Sequence, residues 1–475
     1  MSCLLLQWAC KEFGDHIIWP LSKGRELLIS GLVLFTRSRH FRTCSVCPAN
    51  GPPTVGADLR IGGSGCLTRA ILPGRRPGAV RNQAPTTSRQ QVTKLMTTAV
   101  RIGVVGLGQR GLQHLKALVR LQDEGHAQVT ALCDAVPSNL DAAKLKRFVP
   151  ALDADAVFRT SDFDTVLEAG RCDALFIAIP PSLHRDEVVR AARAGLHLMV
   201  EKPMSLDLVQ ALAMQDAIEA AGVLSCCGFQ QRFDPRHEAV HRYVQDRRVV
   251  LATYAFHAAL ERHDAKHADT ARHGGPRNRV WTASRAWSGT TVVEGGIHPL
   301  DLWRYWCGDV DWVQAAYVPR AEEDVVDQAD NPYAYSVQFG FANGAVGNLV
   351  LSRLRRVYNL LADHRIFCTE SQIEVQPDTV TAFRYEGPYP PSTEPDREAV
   401  ARTLWSGDAA EGTYEFGKAF VRSVAAGDPS LIRSPFRDGM NSLAAVLAAN
   451  ESHARNGARI HLAEWLGTVD RTTCG

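Results

Sequence analysis

The sequence predicts an α/β chain: a doubly wound parallel sheet, followed by an α/β domain with a large, mostly antiparallel open sheet. Three observations carry this prediction. From Val100 onward, short apolar runs alternate with helical stretches, the pattern of strands crossed over by helices. A glycine-rich turn, Gly106-Leu107-Gly108-Gln109-Arg110-Gly111, joins the first run to the first helical stripe. After residue 230 the alternation gives way to successive strand patterns, two of them joined by the hairpin signal Asn343-Gly344.

Bulk properties set the frame. The 475 residues are 45% hydrophobic and 22% charged, ordinary for a globular chain with more than one core. A net charge of only +2 argues against a dedicated nucleic-acid binder. That balance is uneven. Residues 1–95 hold 13 Lys or Arg against 4 Asp or Glu, so this head carries +9 and the rest of the chain −7. The head has no sustained period and is broken by Pro52-Pro53, Gly62-Gly63 and Pro73-Gly74. We expect an appendage over 1–95, with Met96 as the true or alternative start; an Arg-rich transit peptide is the rival reading. Five of the 12 cysteines lie in the head, and the others are scattered. Scattered cysteines read as reduced thiols and point to the cytoplasm. No apolar run reaches the ~20 residues of a membrane helix, so no membrane partner is expected. The predicted domains are 96–230 and 231–465.

The first element of the body is the β-branched run Val100 to Val105, a buried parallel strand. In the turn that follows, Gly106 permits the tight bend, Gly108 lets backbone N–H groups approach a pyrophosphate, and Gly111 lets the helix pack on the strand. The helix start supplies unpaired donors and a partial positive charge for that phosphate. Its stripe is Leu112, Leu115, Leu118 and Val119. A second strand over 128–133 ends at Asp134, 23 residues after Gly111, where a carboxylate can accept both ribose hydroxyls. This is a Rossmann dinucleotide-binding unit. Asp134 favours NAD over NADP because it repels a 2′-phosphate; Arg110 pulls the other way. Strands over 174–179, 197–200 and 223–228 and helices over 162–169, 183–194 and 206–221 continue the winding. Beyond a helix ending near 246, strands are predicted over 249–258, 311–318, 334–341, 344–352 and 364–375.

Three stretches make the chain resemble the glucose–fructose oxidoreductase, inositol dehydrogenase and MocA family. They are the glycine turn, the run Ile179-Pro180-Pro181-Ser182-Leu183-His184 with the later Glu201-Lys202-Pro203, and Glu294-Gly295-Gly296-Ile297-His298-Pro299-Leu300-Asp301. The likeness spans 100–462 and leaves out the head. It implies an NAD(P)-dependent dehydrogenase or reductase that moves a hydride between nicotinamide and a secondary alcohol of a sugar, inositol or related cyclic polyol. It implies Lys202 at the substrate oxygen, with a cis Lys202–Pro203 peptide, and His298 as general acid–base, a role its near-neutral pKa suits. Glu294 stands where many members have aspartate; it orients the imidazole or binds a hydroxyl. Asp301, three residues after His298, braces the imidazole, holds a hydroxyl or is plain structure. Cofactor contacts are expected from Gly106, Gly108, Gln109, Arg110, Gly111, Asp134, Pro180, His184, Glu201, Lys202 and Gln230. Trp281, Arg285 and Trp287 suit a polyol or a core equally.

No metal is expected, although His263, Asp264, His267, Asp269 and His273 crowd one segment. The family likeness makes a homodimer or homotetramer the default. Two other functions use the same cofactor domain: an NAD-dependent glycosidase with transient oxidation, and a non-catalytic nucleotide-binding regulator. The presence of both Lys202 and His298 speaks against the regulator.

Overall fold

The computed structural model describes residues 99–260, 281–357, 361–385, 400–408 and 411–469. The expected appendage over 1–95 and the histidine-rich segment lie outside these residues.

The first sheet contains β1 (Val100–Val105), β2 (Ala127–Cys133), β3 (Phe158–Thr160), β4 (Ala174–Ile177), β5 (His197–Val200) and β6 (Ser225–Cys227), in the order β3-β2-β1-β4-β5-β6. Every neighbouring pair is parallel. The order reverses between β1 and β4, and in such sheets ligands bind at that switch, beyond the carboxyl ends of the strands. β1 is buried because its Val and Ile side chains face helices on both sides.

Eight helices of seven or more residues are described: α1 (Gln109–Asp123), α2 (Ala142–Phe148), α3 (Glu187–Arg193), α4 (Leu208–Ala221), α5 (Pro235–Val244), α6 (Ile297–Cys307), α7 (Gly412–Ala426) and α8 (Phe436–Ala454). Two of them start later than their sequence patterns suggest. α3 begins at Glu187 because Pro181–Leu183 forms its own tight turn and His184 is extended. α4 begins at Leu208 because the Asp207 side chain caps it, accepting the Val209 N–H.

The second sheet holds β7 (Val249–Ala259), β8 (Val310–Val318), β9 (Ala334–Phe341), β10 (Val346–Leu354), β11 (Leu361–Cys368), β12 (Gln372–Val375), β13 (Thr379–Arg384), β14 (Val400–Ser406) and β15 (Ile460–His461). Their order is β14-β13-β12-β11-β7-β10-β9-β8-β15. All pairs are antiparallel except β7 with β10. The hairpin at Asn343-Gly344 is present: Gly344 takes a φ of 86°, and Asn343 accepts the Ala345 N–H. The single strand expected over 364–375 is two strands, because the chain turns back where the Cys368 N–H bonds the Ser371 carbonyl. α8 packs on β8 and buries Leu443, Val446 and Ala449.

The chain also crosses back. α7 packs on α1, and its Tyr414, Phe416, Phe420 and Val421 share one core with Leu115, Leu118 and Phe176 of the first sheet. Among the described residues no helix is long and apolar enough to cross a membrane.

Candidate functional site

The glycine turn sits at the switch point. Gly106 has a φ of 87°, and a Cβ on it would lie 2.4 Å from the Ala178 carbonyl oxygen at the end of β4. A Cβ on Gly111 would lie 1.8 Å from the Gly106 carbonyl oxygen. Only glycine fits at either position. Asp134, buried at the end of β2, ties the turn down. Its two carboxylate oxygens accept the N–H of Leu107 at 2.6 Å and of Val136 at 2.8 Å. Each oxygen keeps a second lone pair. Gln109 is exposed at the start of α1. Arg110, next to it, leaves its Nη2 buried without a hydrogen-bond partner. A side-chain-free cradle, a helix N-terminus and an unpaired guanidinium nitrogen suit the pyrophosphate of a dinucleotide. These residues fit the cofactor the sequence implies.

Lys202 lies at the carboxyl end of β5, and its peptide to Pro203 is cis. Its ammonium donates to the Glu294 carbonyl at 2.9 Å and to Glu294 Oε2 at 3.1 Å. The side chains are 11% and 23% exposed, so the pair stands at the edge of solvent.

The backbone explains how Glu294 offers both groups. Val292–Gly296 forms a π-helical turn that runs into α6. Pro299 has no N–H, so it cannot complete the π-type bond to the carbonyl five residues earlier. That carbonyl belongs to Glu294, and Lys202 donates to it. Thr290, just before the turn, is held by Asn450 of α8 at 3.0 Å.

Electrostatics follow from burial. Burial raises the Glu294 pKa, and the Lys202 ammonium pulls it back down. Burial, reinforced by the Lys202 and Arg110 charges, pushes His298 well below the ordinary histidine value. That shift favours the neutral imidazole over the imidazolium, and the buried Nδ1 has no hydrogen-bond partner. The half-buried ring thus departs from the near-neutral pKa expected from the sequence, and it offers an Nδ1 with no partner as a proton acceptor.

Other predicted residues lie elsewhere. The structure brings Asp301 not to His298 but to Arg232: both carboxylate oxygens accept from that guanidinium at 2.7 Å, and Ser442 adds a bond at 2.9 Å. At 1% exposure, with these bonds made, Asp301 ties α6 to Arg232 and to Ser442 of α8. Glu201 turns inward. It accepts from Arg110 and His114, each at 2.6 Å, and burial is overcome by Arg110 and His114, which hold its pKa well below the carboxylate range. His184 is buried, its Nδ1 bonded to Glu187 and its Nε2 unpaired. Pro180 is half-buried after β4, and the half-buried Gln230 leaves its Oε1 unpaired. Trp287 is a core residue, and Arg285 is exposed. Among the described residues no group of acids, histidines and cysteines is arranged to hold a metal.

His114 and Gly228 escaped the sequence reading. The signal for His114 was its spacing: Arg110 and His114 stand four apart on one stripe of α1.

Comparison with known proteins gives the family. The GFO/IDH/MocA model described as an oxidoreductase family with an NAD-binding Rossmann fold matches residues 100–229, and the GFO/IDH/MocA C-terminal domain model matches 262–374. A myo-inositol 2-dehydrogenase of Thermotoga maritima is 26% identical over 357 residues, which is 74% of this chain and 96% of that protein. An NAD(+)-dependent scyllo-inositol 2-dehydrogenase of Bacillus subtilis is 24% identical over 258 residues, 54% of this chain and 68% of that protein. A crystal structure of an Agrobacterium radiobacter oxidoreductase with NAD+, L-tartaric acid and magnesium superposes with a TM-score of 0.60 at 17% identity, covering 78% of this chain and all of that one. The chain belongs to the GFO/IDH/MocA family of oxidoreductases with an NAD-binding Rossmann domain.

Proposed function

We propose that the protein interconverts a secondary alcohol and a ketone on a sugar, inositol or related cyclic polyol, with NAD preferred over NADP. The observation that carries this reading is the Lys202–Glu294 pair at the edge of solvent, with His298 four residues on and its Nδ1 without a partner. Bound nicotinamide would supply the hydride acceptor. The remaining tasks fall to this chain. Lys202 donates to the alcohol oxygen and stabilises its growing negative charge. His298 removes the hydroxyl proton, and Glu294 holds the ammonium between them. Gly106, Gly108, Gly111 and Arg110 hold the pyrophosphate, and Asp134 accepts the adenosine ribose hydroxyls with its free lone pairs. Gln109, Pro180, His184, Glu201 and Gln230 complete the crevice wall or support it. The inositol dehydrogenase names of two relatives support this substrate class.

A panel of inositols and sugars, each offered with NAD and with NADP, tests the reading. It expects net NADH formation with at least one cyclic polyol. Product release without net NADH would instead favour a glycosidase that oxidises its substrate transiently. The outward face of the second sheet supports assembly into a homodimer or homotetramer. Ala316, Ser336, Val350 and Ala255 lie side by side across four strands as a row of small side chains. Sedimentation analysis tests this, and a monomer at micromolar concentration would refute it.

A further inference from the structure

Arg110 and His114 reach from α1 to the same atom. Arg110 Nε and His114 Nε2 each lie 2.6 Å from Glu201 Oε1. Glu201 Oε2 accepts the backbone N–H of Lys202 at 3.0 Å. The floor under this carboxylate is Gly228, where a Cβ would come within 2.7 Å of Glu201 Cδ. Three donors and a bare glycine therefore fix one carboxylate immediately before the reacting lysine. His114 is fully buried between the rings of Phe176 and Phe416, with centroids 5.6 and 6.3 Å away. Those ring contacts ask only for an aromatic face. The imidazole adds only the bond to Glu201, and it leaves Nδ1 buried and unpaired.

We propose that His114 is a positioning residue: acting through Glu201, it fixes the backbone at Lys202 and registers the ammonium against the helix that begins at the glycine turn. The proposal rests on the role given to Lys202 above. One carboxylate then joins the phosphate end of the site, through Arg110, to the nicotinamide end, through Lys202. The ionised carboxylate is an acceptor only, so the imidazole hydrogen sits on Nε2.

Two substitutions separate positioning from packing. His114→Phe keeps the ring and loses the donor, whereas His114→Gln keeps a donor near Nε2. Three quantities are measured on the full chain: hydrogen exchange of the Lys202 amide without cofactor, NADH affinity by fluorescence titration, and kcat with the polyol found in the panel. For His114→Phe we expect Lys202 exchange to rise about tenfold. We expect kcat to fall ~10²-fold, while NADH affinity and substrate KM stay within about threefold. His114→Gln restores most of both losses. Gly228→Ala, which displaces the carboxylate without touching His114, reproduces the rise in Lys202 exchange and the fall in kcat, and serves if that variant does not fold. The proposal is overturned if the donor-less variant leaves exchange and kcat within about twofold of the parent, or if the glutamine fails to restore them. If no polyol is turned over by the parent protein, the reading of function fails on its own, and amide exchange still decides whether His114 fixes Lys202.

Discussion

Glu294 and Asp301 stand seven residues apart at the start of one helical run, yet their surroundings are opposite. Asp301 has a bidentate guanidinium and a serine hydroxyl, and its partner Arg232 is completed by Asp438 at 2.7 Å and the Arg433 carbonyl at 2.7 Å. Glu294 meets one ammonium, and the imidazole that follows it has a buried nitrogen with no partner. A network closed on itself gains rigidity and cannot bind anything else. A network left open holds its unmet hydrogen bonds for a ligand. Burial alone therefore does not separate these two acids; the completeness of their partners does.

Four measurements break or sharpen this contrast. The largest effect belongs to the open network. Lys202→Ala should lower kcat/KM by ~10³-fold or more, ~4 kcal/mol of transition-state stabilisation, with an unchanged melting temperature. A loss under about tenfold would remove Lys202 from the reaction. The closed network should show the reverse. Asp301→Ala takes the bidentate partner from a buried guanidinium, leaving it Asp438 and the Arg433 carbonyl, and should cost about 3 kcal/mol in urea unfolding, with kcat of the folded enzyme nearly unchanged. A large fall in kcat at full stability would return Asp301 to the chemistry.

Acid should then separate the second core from the first. His364, packed against Trp303 and Trp306, accepts the Trp303 indole N–H, and burial pushes its pKa down to about 3. The unfolded chain takes up that proton near pH 6.5 and the folded chain refuses it, so stability is full above about 6.5 and falls as the pH drops. Between pH 6.5 and 5 the loss should be about 2 kcal/mol, and His364→Phe should flatten the slope. An equal slope in the variant would assign it to other groups. The smallest effect lies farthest from the reacting atoms. Asp134→Ala should raise the KM for NAD about tenfold and leave kcat unchanged. An unaltered KM would mean the adenosine ribose is held elsewhere.

What the sequence made legible was local. The β1–turn–α1 unit is written in contiguous residues, so its strand, its glycines and the acid at residue 134 could be read by spacing. Lys202 and His298 were singled out through the motifs that surround them. Contacts distant in sequence were not legible. Nothing near Asp301 announces Arg232, which is 69 residues away. Nothing near Glu201 announces His114, on the helix of another βαβ crossover. The parallel pairing of β7 with β10 was hidden in the same way, since strand patterns give existence and not neighbours.

The return of α7 to the first sheet has a consequence for anyone dividing this chain. A fragment ending at residue 230 would expose the stripe of α1 that Phe416 and Phe420 cover, and would take Thr413 from Arg110. The dinucleotide module is therefore completed by residues synthesised almost two hundred positions after its last strand. Its N-terminal half must wait for that helix before the stripe of α1 is covered.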